Sequence, residues 1–172
     1  MEGFKMVATC NFNEYNGAGS TLEASITNMN FGSSDTPNLT AATYPITAGS
    51  NSYEKFWKAA FTGDFNYIGS LLFWKSGTGD YVTAEAIKCT SSGSPYLAPT
   101  YGTPVMTASS KATGSIHVTI PSELNLGFGG AVGGSIVTTG TSDYIVAQLQ
   151  TGVTTPPGDV NQKTFKIQWT EA

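Results

Sequence analysis

Along residues 164–170 apolar and polar side chains alternate without a break. Phe165, Ile167 and Trp169 fall on one side, and Thr164, Lys166, Gln168 and Thr170 on the other. A period of two is what a strand with one buried face requires. Residues 144–150 repeat the pattern, with Ile145, Ala147 and Leu149 against Tyr144, Gln148 and Gln150; Val146 interrupts the polar row. Pro156, Pro157 and Gly158 forbid a ladder between the two segments, so the link is a loop. The two strands either pair across that loop or lie in opposite sheets of a sandwich.

The same reading continues upstream. Phe4, Met6 and Ala8 alternate weakly, which predicts an arm or edge strand over residues 1–20, with a single domain over 21–172. Leu22, Ala24 and Ile26 mark a better strand. Residues 32–52 carry Pro37 and Pro45 among Leu39, Tyr44 and Ile46, so a long loop is expected to be pinned across the body by its apolar residues. Residues 53–61 place Lys55, Trp57, Ala59 and Phe61 in one row. Thr62, Gly63 and Asp64 form a turn, and residues 67–75 return with apolar residues on both faces. A hairpin with a strand covered on two sides is predicted here. Strands are also expected over 81–89, 114–120 and 135–139, and around Val105 and Met106. The total is about eight to nine short strands and no helix. The fold class is therefore all-β, an antiparallel β-sandwich with Ig-like or jelly-roll connections.

Composition supports this and narrows the function. Charged residues make up 12% of the 172, aromatic residues 12% and apolar residues 40%, enough apolar matter for a core. Net charge is -4, and all eight basic residues are lysines. A nucleic-acid binder ordinarily uses arginine forks on phosphates and base edges, so no nucleic-acid partner is expected. The longest apolar runs are too short to span a bilayer as a helix, and no membrane partner is expected. No apolar signal segment follows Met1, so the chain is expected to be made in a cytoplasm. Cys10 and Cys89 lack metal-ligand spacing and are expected to be unpaired, buried thiols.

Candidate chemistry is sparse. His117, the single histidine, has no G-x-S-x-G elbow to nominate a serine partner. The glycine-rich run 127–134 lacks a Gly-Lys-Ser/Thr ending and a following helix, so it reads as a tight loop, not a phosphate cradle. Asp64 and Asp80 stand in turns with no D-x-D-x-D loop for calcium. Trp57, Trp74 and Trp169 lie in apolar strand patterns and are expected in the core. Tyr96 and Tyr101, in a Ser/Pro-rich loop, and Lys166, on the polar side of the last strand, are the candidates for partner or glycan contact. No catalytic residue, cofactor or metal is assigned.

Two blocks carry a resemblance: NFGSSDTPNLTAATYPITAGSNSYEKFWKAAFTGDFNYIGSLLFWKSG, and the closing SDYIVAQLQTGVTTPPGDVNQKTFKIQW. They are similar to a group of small virion structural proteins of tailed bacteriophages and environmental viruses. The resemblance implies a component of the virus particle, expected as a non-enzymatic capsid decoration (cement) protein that binds and stabilises the capsid surface, or else a protein of the neck or tail. Its implied partners are the major capsid protein or neighbouring virion proteins, with a homo-oligomer expected. The alternative is a carbohydrate-binding module on the virion that contacts host glycans. The resemblance supplies no catalytic residues.

Overall fold

A computed structural model describes residues 7–17, 21–91, 112–157 and 162–172. Its strands are β1 (Val7–Asn16), β2 (Thr21–Ile26), β3 (Lys55–Asp64), β4 (Ile68–Lys75), β5 (Glu85–Thr90), β6 (Gly114–Ser115), β7 (Gly127–Phe128), β8 (Ala131–Val132), β9 (Gly140–Thr141), β10 (Ile145–Thr151) and β11 (Phe165–Glu171). The fold is all-β and β-sandwich-like, every ladder is antiparallel, and no helix occurs among the described residues.

The larger sheet runs β2-β1-β3-β10-β5-β6, with β9 on the same side of β3 as β10. β9 and β10 behave as one interrupted strand. Ala60 faces Thr141 and Trp57 faces Ile145, so the β9–β10 side holds one extra residue. Ser142 bridges the interruption: its N–H donates to the Ala59 carbonyl at 2.8 Å, and its Oγ accepts the Ala59 N–H at 3.0 Å. The backbone groups freed by the bulge are thus satisfied.

The smaller sheet pairs β4 with β11. On the other side of β4 the chain supplies short pieces instead of a strand. Isolated bridges join Leu71 to Leu126 and Ile68 to Ile136. The Asn125 side chain stands in for a backbone, accepting the Phe73 N–H at 2.8 Å and donating to the Phe73 carbonyl at 2.7 Å.

The core lies between the sheets. Trp57, Ala59 and Phe61 of β3, Ile145, Ala147 and Leu149 of β10, and Ile87 and Cys89 of β5 meet Leu71 and Phe73 of β4. Half-buried Phe165, Ile167 and Trp169 of β11 close against them. Phe73 stacks on Phe165 (centroids 5.9 Å apart, 4° between planes), and Trp169 meets Phe61 edge-on at 5.5 Å. The apolar row of β11 therefore faces the core as its alternation predicts, and β10 and β11 sit in opposite sheets. Each fully buried large side chain contributes about 1.5–3 kcal/mol.

Several expectations are corrected. β3 and β4 form no hairpin: β3 pairs with β1, β9 and β10, and β4 with β11. Thr62, Gly63 and Asp64 make no turn but continue β3 in its ladder with β1, with Gly63 at φ 107° opposite Ala8, and the chain passes from one sheet to the other over residues 65–67. β4 is buried on its Leu71 and Phe73 face only, since Leu72 and Trp74 are half-buried on the opposite side. β1 is an edge over part of its length: residues 7–11 pair with β3 alone, and residues 12–16 lie between β2 and β3, where the buried polar residues Glu14 and Asn16 interrupt the alternation. Residues 1–6 and 18–20 lie outside the described residues. The segment after Ser115 leaves the ladder, and Ile120 is 51% exposed. Residues 135–139 give only the Ile136 bridge. Val105 and Met106 lie outside the described residues.

Loop 32–52 is pinned as expected, with Leu39 buried and Ile46 packed on the core. A polar clasp, unforeseen, completes the attachment. Lys55, with its side chain fully buried, donates to Glu14 Oε1 at 2.7 Å and to the Thr36 carbonyl at 2.8 Å. Glu14 Oε2 accepts the Asn38 N–H, and Asn16 donates to Asp35 and to the Glu54 carbonyl. These bonds tie the loop, β1 and the start of β3 to one another. The signal for the clasp was Lys55 standing in the row of Trp57, Ala59 and Phe61: a lysine in an apolar row needs a buried carboxylate.

Candidate functional site

A chemically mixed hollow of about 250 Å³ lies where β5 and β6 meet the Asn125 segment, lined in part by Cys89, Ser91, Ser115, His117 and Asn125. It brings the single histidine near a thiol and hydroxyls. No carboxylate lines it, and the Asn125 amide is already committed to Phe73. Burial pushes the Cys89 thiol up to about 12, so it stays protonated and is no nucleophile. The histidine's backbone carbonyl accepts the Lys75 N–H, a strand-edge contact. These groups assemble no acid, base and nucleophile in relay.

The other candidates resolve into structure. Gly129 and Gly130, at φ 66° and 84°, close the β7–β8 hairpin, and the Asp143 carboxylate accepts the Gly130 N–H at 2.8 Å. No helix follows, and the run is the tight loop the sequence predicted. Asp80 pairs with the buried Lys75, which also donates to the Gly77 carbonyl and lies 4.3 Å from the Tyr81 ring centroid. Lys163 reaches the same ring at 5.6 Å, pairs with Glu85 at 2.9 Å and donates to the Asp80 carbonyl. That second clasp joins the approach to β11 to the β4–β5 connection. It uses the Asp80 carboxylate to neutralise a lysine, so the aspartate acts as a turn partner. Among the described residues no cluster of three His, Cys, Asp or Glu stands ready for a metal.

Cys10 and Cys89 are unpaired. They project from β1 and β5, with β3 and β10 between, so at least three strand spacings, about 14 Å, separate them. A disulfide needs Cα atoms within about 7 Å.

What remains is surface. Lys166, Gln168, Thr164 and Thr170 are exposed on the outer face of the smaller sheet. Trp74 is the cross-strand neighbour of Lys166, and Leu72 that of Gln168. Trp74 is thus the one tryptophan that leaves the core, contrary to expectation, because β4 presents its even-numbered residues outward at this point. Trp57 is fully buried and Trp169 packs half-buried on the core. Tyr96 and Tyr101 lie outside the described residues. An outward apolar pair on a polar sheet face was readable as the second apolar row of residues 67–75, and its exposure came only with the fold.

Among the described residues, no helix is long and apolar enough to cross a membrane. No family model, curated protein or solved structure matches the chain.

Proposed function

We propose that the chain is a non-enzymatic structural protein of a phage virion, a capsid decoration protein that binds the outer capsid surface and strengthens it. The observation that carries this reading is the resemblance of the two sequence blocks to small virion proteins. It is supported by an outward sheet face that mixes Trp74 and Leu72 with Lys166 and Gln168. An aromatic anchor ringed by polar groups is the usual make-up of a contact surface. The partner is the major capsid protein or a neighbouring virion protein. Cryo-EM of the particle tests the placement: the expected result is copies of this fold on the capsid exterior. Density confined to the tail, or none on the virion, contradicts it.

Trp74 also favours a second reading, a carbohydrate-binding module on the virion, since an outward indole beside hydrogen-bonding side chains can stack on a sugar ring. A glycan array separates the two. Binding that is lost in Trp74→Ala, Tyr96→Ala or Tyr101→Ala selects the glycan reading, and silence across the array selects the decoration reading.

A further inference from the structure

The smaller sheet ends abruptly at β11. Ser76 N–H donates to the Thr164 carbonyl, and Ala172 and Tyr67 exchange both backbone bonds. With Lys166 opposite Trp74 and Gln168 opposite Leu72, even-numbered backbone groups face β4 along the whole strand. The N–H and C=O groups of Phe165, Ile167 and Trp169 therefore point away from it. Among the described residues no strand takes them up.

The inner side chains tell the same story. Phe165, Ile167 and Trp169 face the core yet stay half-buried, alternating with exposed neighbours through the strand. The opposite layer leaves Cys10 and Phe12 of β1 half-buried as well. Edge strands are ordinarily guarded by bulges, prolines or charge. β2 has such a guard: a bulge places two residues between Glu23 and Ile26 against one on β1, with Ser25 at φ 54°. In the β4–β11 ladder the extra residue falls in β4, where Ser70 has φ 55°, so β11 itself runs straight. It holds no proline, and its two charges lie off the central edge: Lys166 is exposed on the outer face, and Glu171, at the end of the strand, accepts the Ala8 N–H of β1.

We propose that the outer edge of β11 pairs antiparallel with β11 of a second copy, joining the two smaller sheets into one across a twofold axis at Ile167. Residues facing outward on one copy then meet outward-facing residues on the other, Phe165 opposite Trp169 of the second copy and Ile167 opposite its own equivalent. Charge selects this register. A twofold at Lys166 would set two ammonium groups face to face, whereas a twofold at Ile167 sets each Lys166 opposite Gln168 of the other copy. Both apolar rows then continue into one another, and the half-buried side chains at the edge gain cover. The inference goes beyond the virion reading and does not depend on it.

Light scattering coupled to size exclusion, on the isolated full-length chain, measures the dimer directly. Wild type is expected to be a dimer whose dissociation constant rises about ten-fold in Gln168→Lys, which sets lysines opposite Lys166 twice over. The double variant Lys166→Glu/Gln168→Lys places opposite charges in those positions and restores the dimer. Both changes lie on the exposed face, so the melting temperature extrapolated to low concentration stays put. As a second reading of register, Lys166→Cys/Gln168→Cys is expected to give an intermolecular disulfide under mild oxidation, because facing residues of a non-hydrogen-bonded pair approach to about 4.5 Å between Cα atoms. A monomer at all concentrations overturns the proposal, as does a dimer that both charge variants leave unchanged.

Discussion

Across the two outer faces of the sandwich, residues that the sequence presents alike keep different company. On the larger sheet, Phe56 of β3 and Val146 of β10 point outward and are nonetheless buried, packed with Ala112 and with Tyr15 and Tyr144. Lys58 lies 4.2 Å from the Tyr144 centroid, so even the cation there is used as cover. On the smaller sheet, half-buried Leu72 and Trp74 point outward beside exposed Lys166 and Gln168, with no second cluster above them among the described residues. An outward apolar residue with its own cluster belongs to the fold. One without it is free to serve a contact.

The largest effect expected in that comparison lies beneath the faces. Glu14→Ala leaves the buried Lys55 ammonium without its carboxylate and should cost about 3–5 kcal/mol in denaturant unfolding. The double variant Glu14→Leu/Lys55→Met should recover most of that loss, and a double variant as unstable as the single one would show the clasp to be more than an ion pair. Next come the faces themselves. Phe56→Ala should cost about 3 kcal/mol, and Trp74→Ala only about 1, although indole is the larger group. Equal losses would break the distinction between a covered and an open face.

A pH profile sharpens the core side of the comparison. Burial pushes the Cys10 and Cys89 thiols up to about 12 from an ordinary 9.0. The folded state therefore keeps protons that the unfolded chain gives up near pH 9. Their stabilising contribution is full below pH 9 and is lost as pH rises toward 12. The fully buried Cys89 adds a slope of up to about 1.4 kcal/mol per pH unit in that window. Cys89→Ala should flatten the alkaline end of the unfolding curve; an unchanged slope would mean the thiol titrates as if in water. The lowered pKa of Lys55 acts with the opposite sign, because there the unfolded chain holds the extra proton, and the comparison of Cys89→Ala with wild type cancels it. Lys166→Ala, at the small end, should change stability by less than about 0.5 kcal/mol.

The closing strand was fully readable because its alternation has no exception: a single apolar row from Phe165 to Trp169 can bury only one face. β10 was readable for the same reason, and Val146, which broke its polar row, proved to be the mark of a covered outer face. The sheet assignment of β3 and β4 was not readable. Thr62-Gly63-Asp64 has the composition of a reversal, yet its backbone stays in the ladder with β1, and the crossing falls at residues 65–67. Residues 114–120 alternate like a strand, yet after Ser115 only the Ile116 N–H stays with β5, at the Ile87 carbonyl, and the carbonyls of His117 and Val118 accept from Lys75 and Gly77 instead. The buried lysines were present in the sequence as misfits: Lys55 shares a row with Trp57, and Lys75 shares one with Phe73. Their carboxylate partners are distant in sequence or in a turn, and only the tertiary fold selects Glu14 and Asp80 from twelve acidic residues. On the outer face of the smaller sheet the exposure of Lys166 is legible from alternation alone, whereas the outward direction of Trp74 is not, because both rows of β4 are apolar.

The most direct test of the proposed decoration role is co-sedimentation of the purified chain with phage particles that lack it. Wild type should bind and saturate. Trp74→Ala/Lys166→Glu should lose at least about ten-fold in affinity while keeping the fold, as read by circular dichroism, and a paired change on the covered face, Lys58→Ala, should bind as wild type does. Binding by the Trp74/Lys166 variant equal to that of wild type would remove the smaller sheet's outer face from the contact, and no binding by wild type would contradict the decoration role itself.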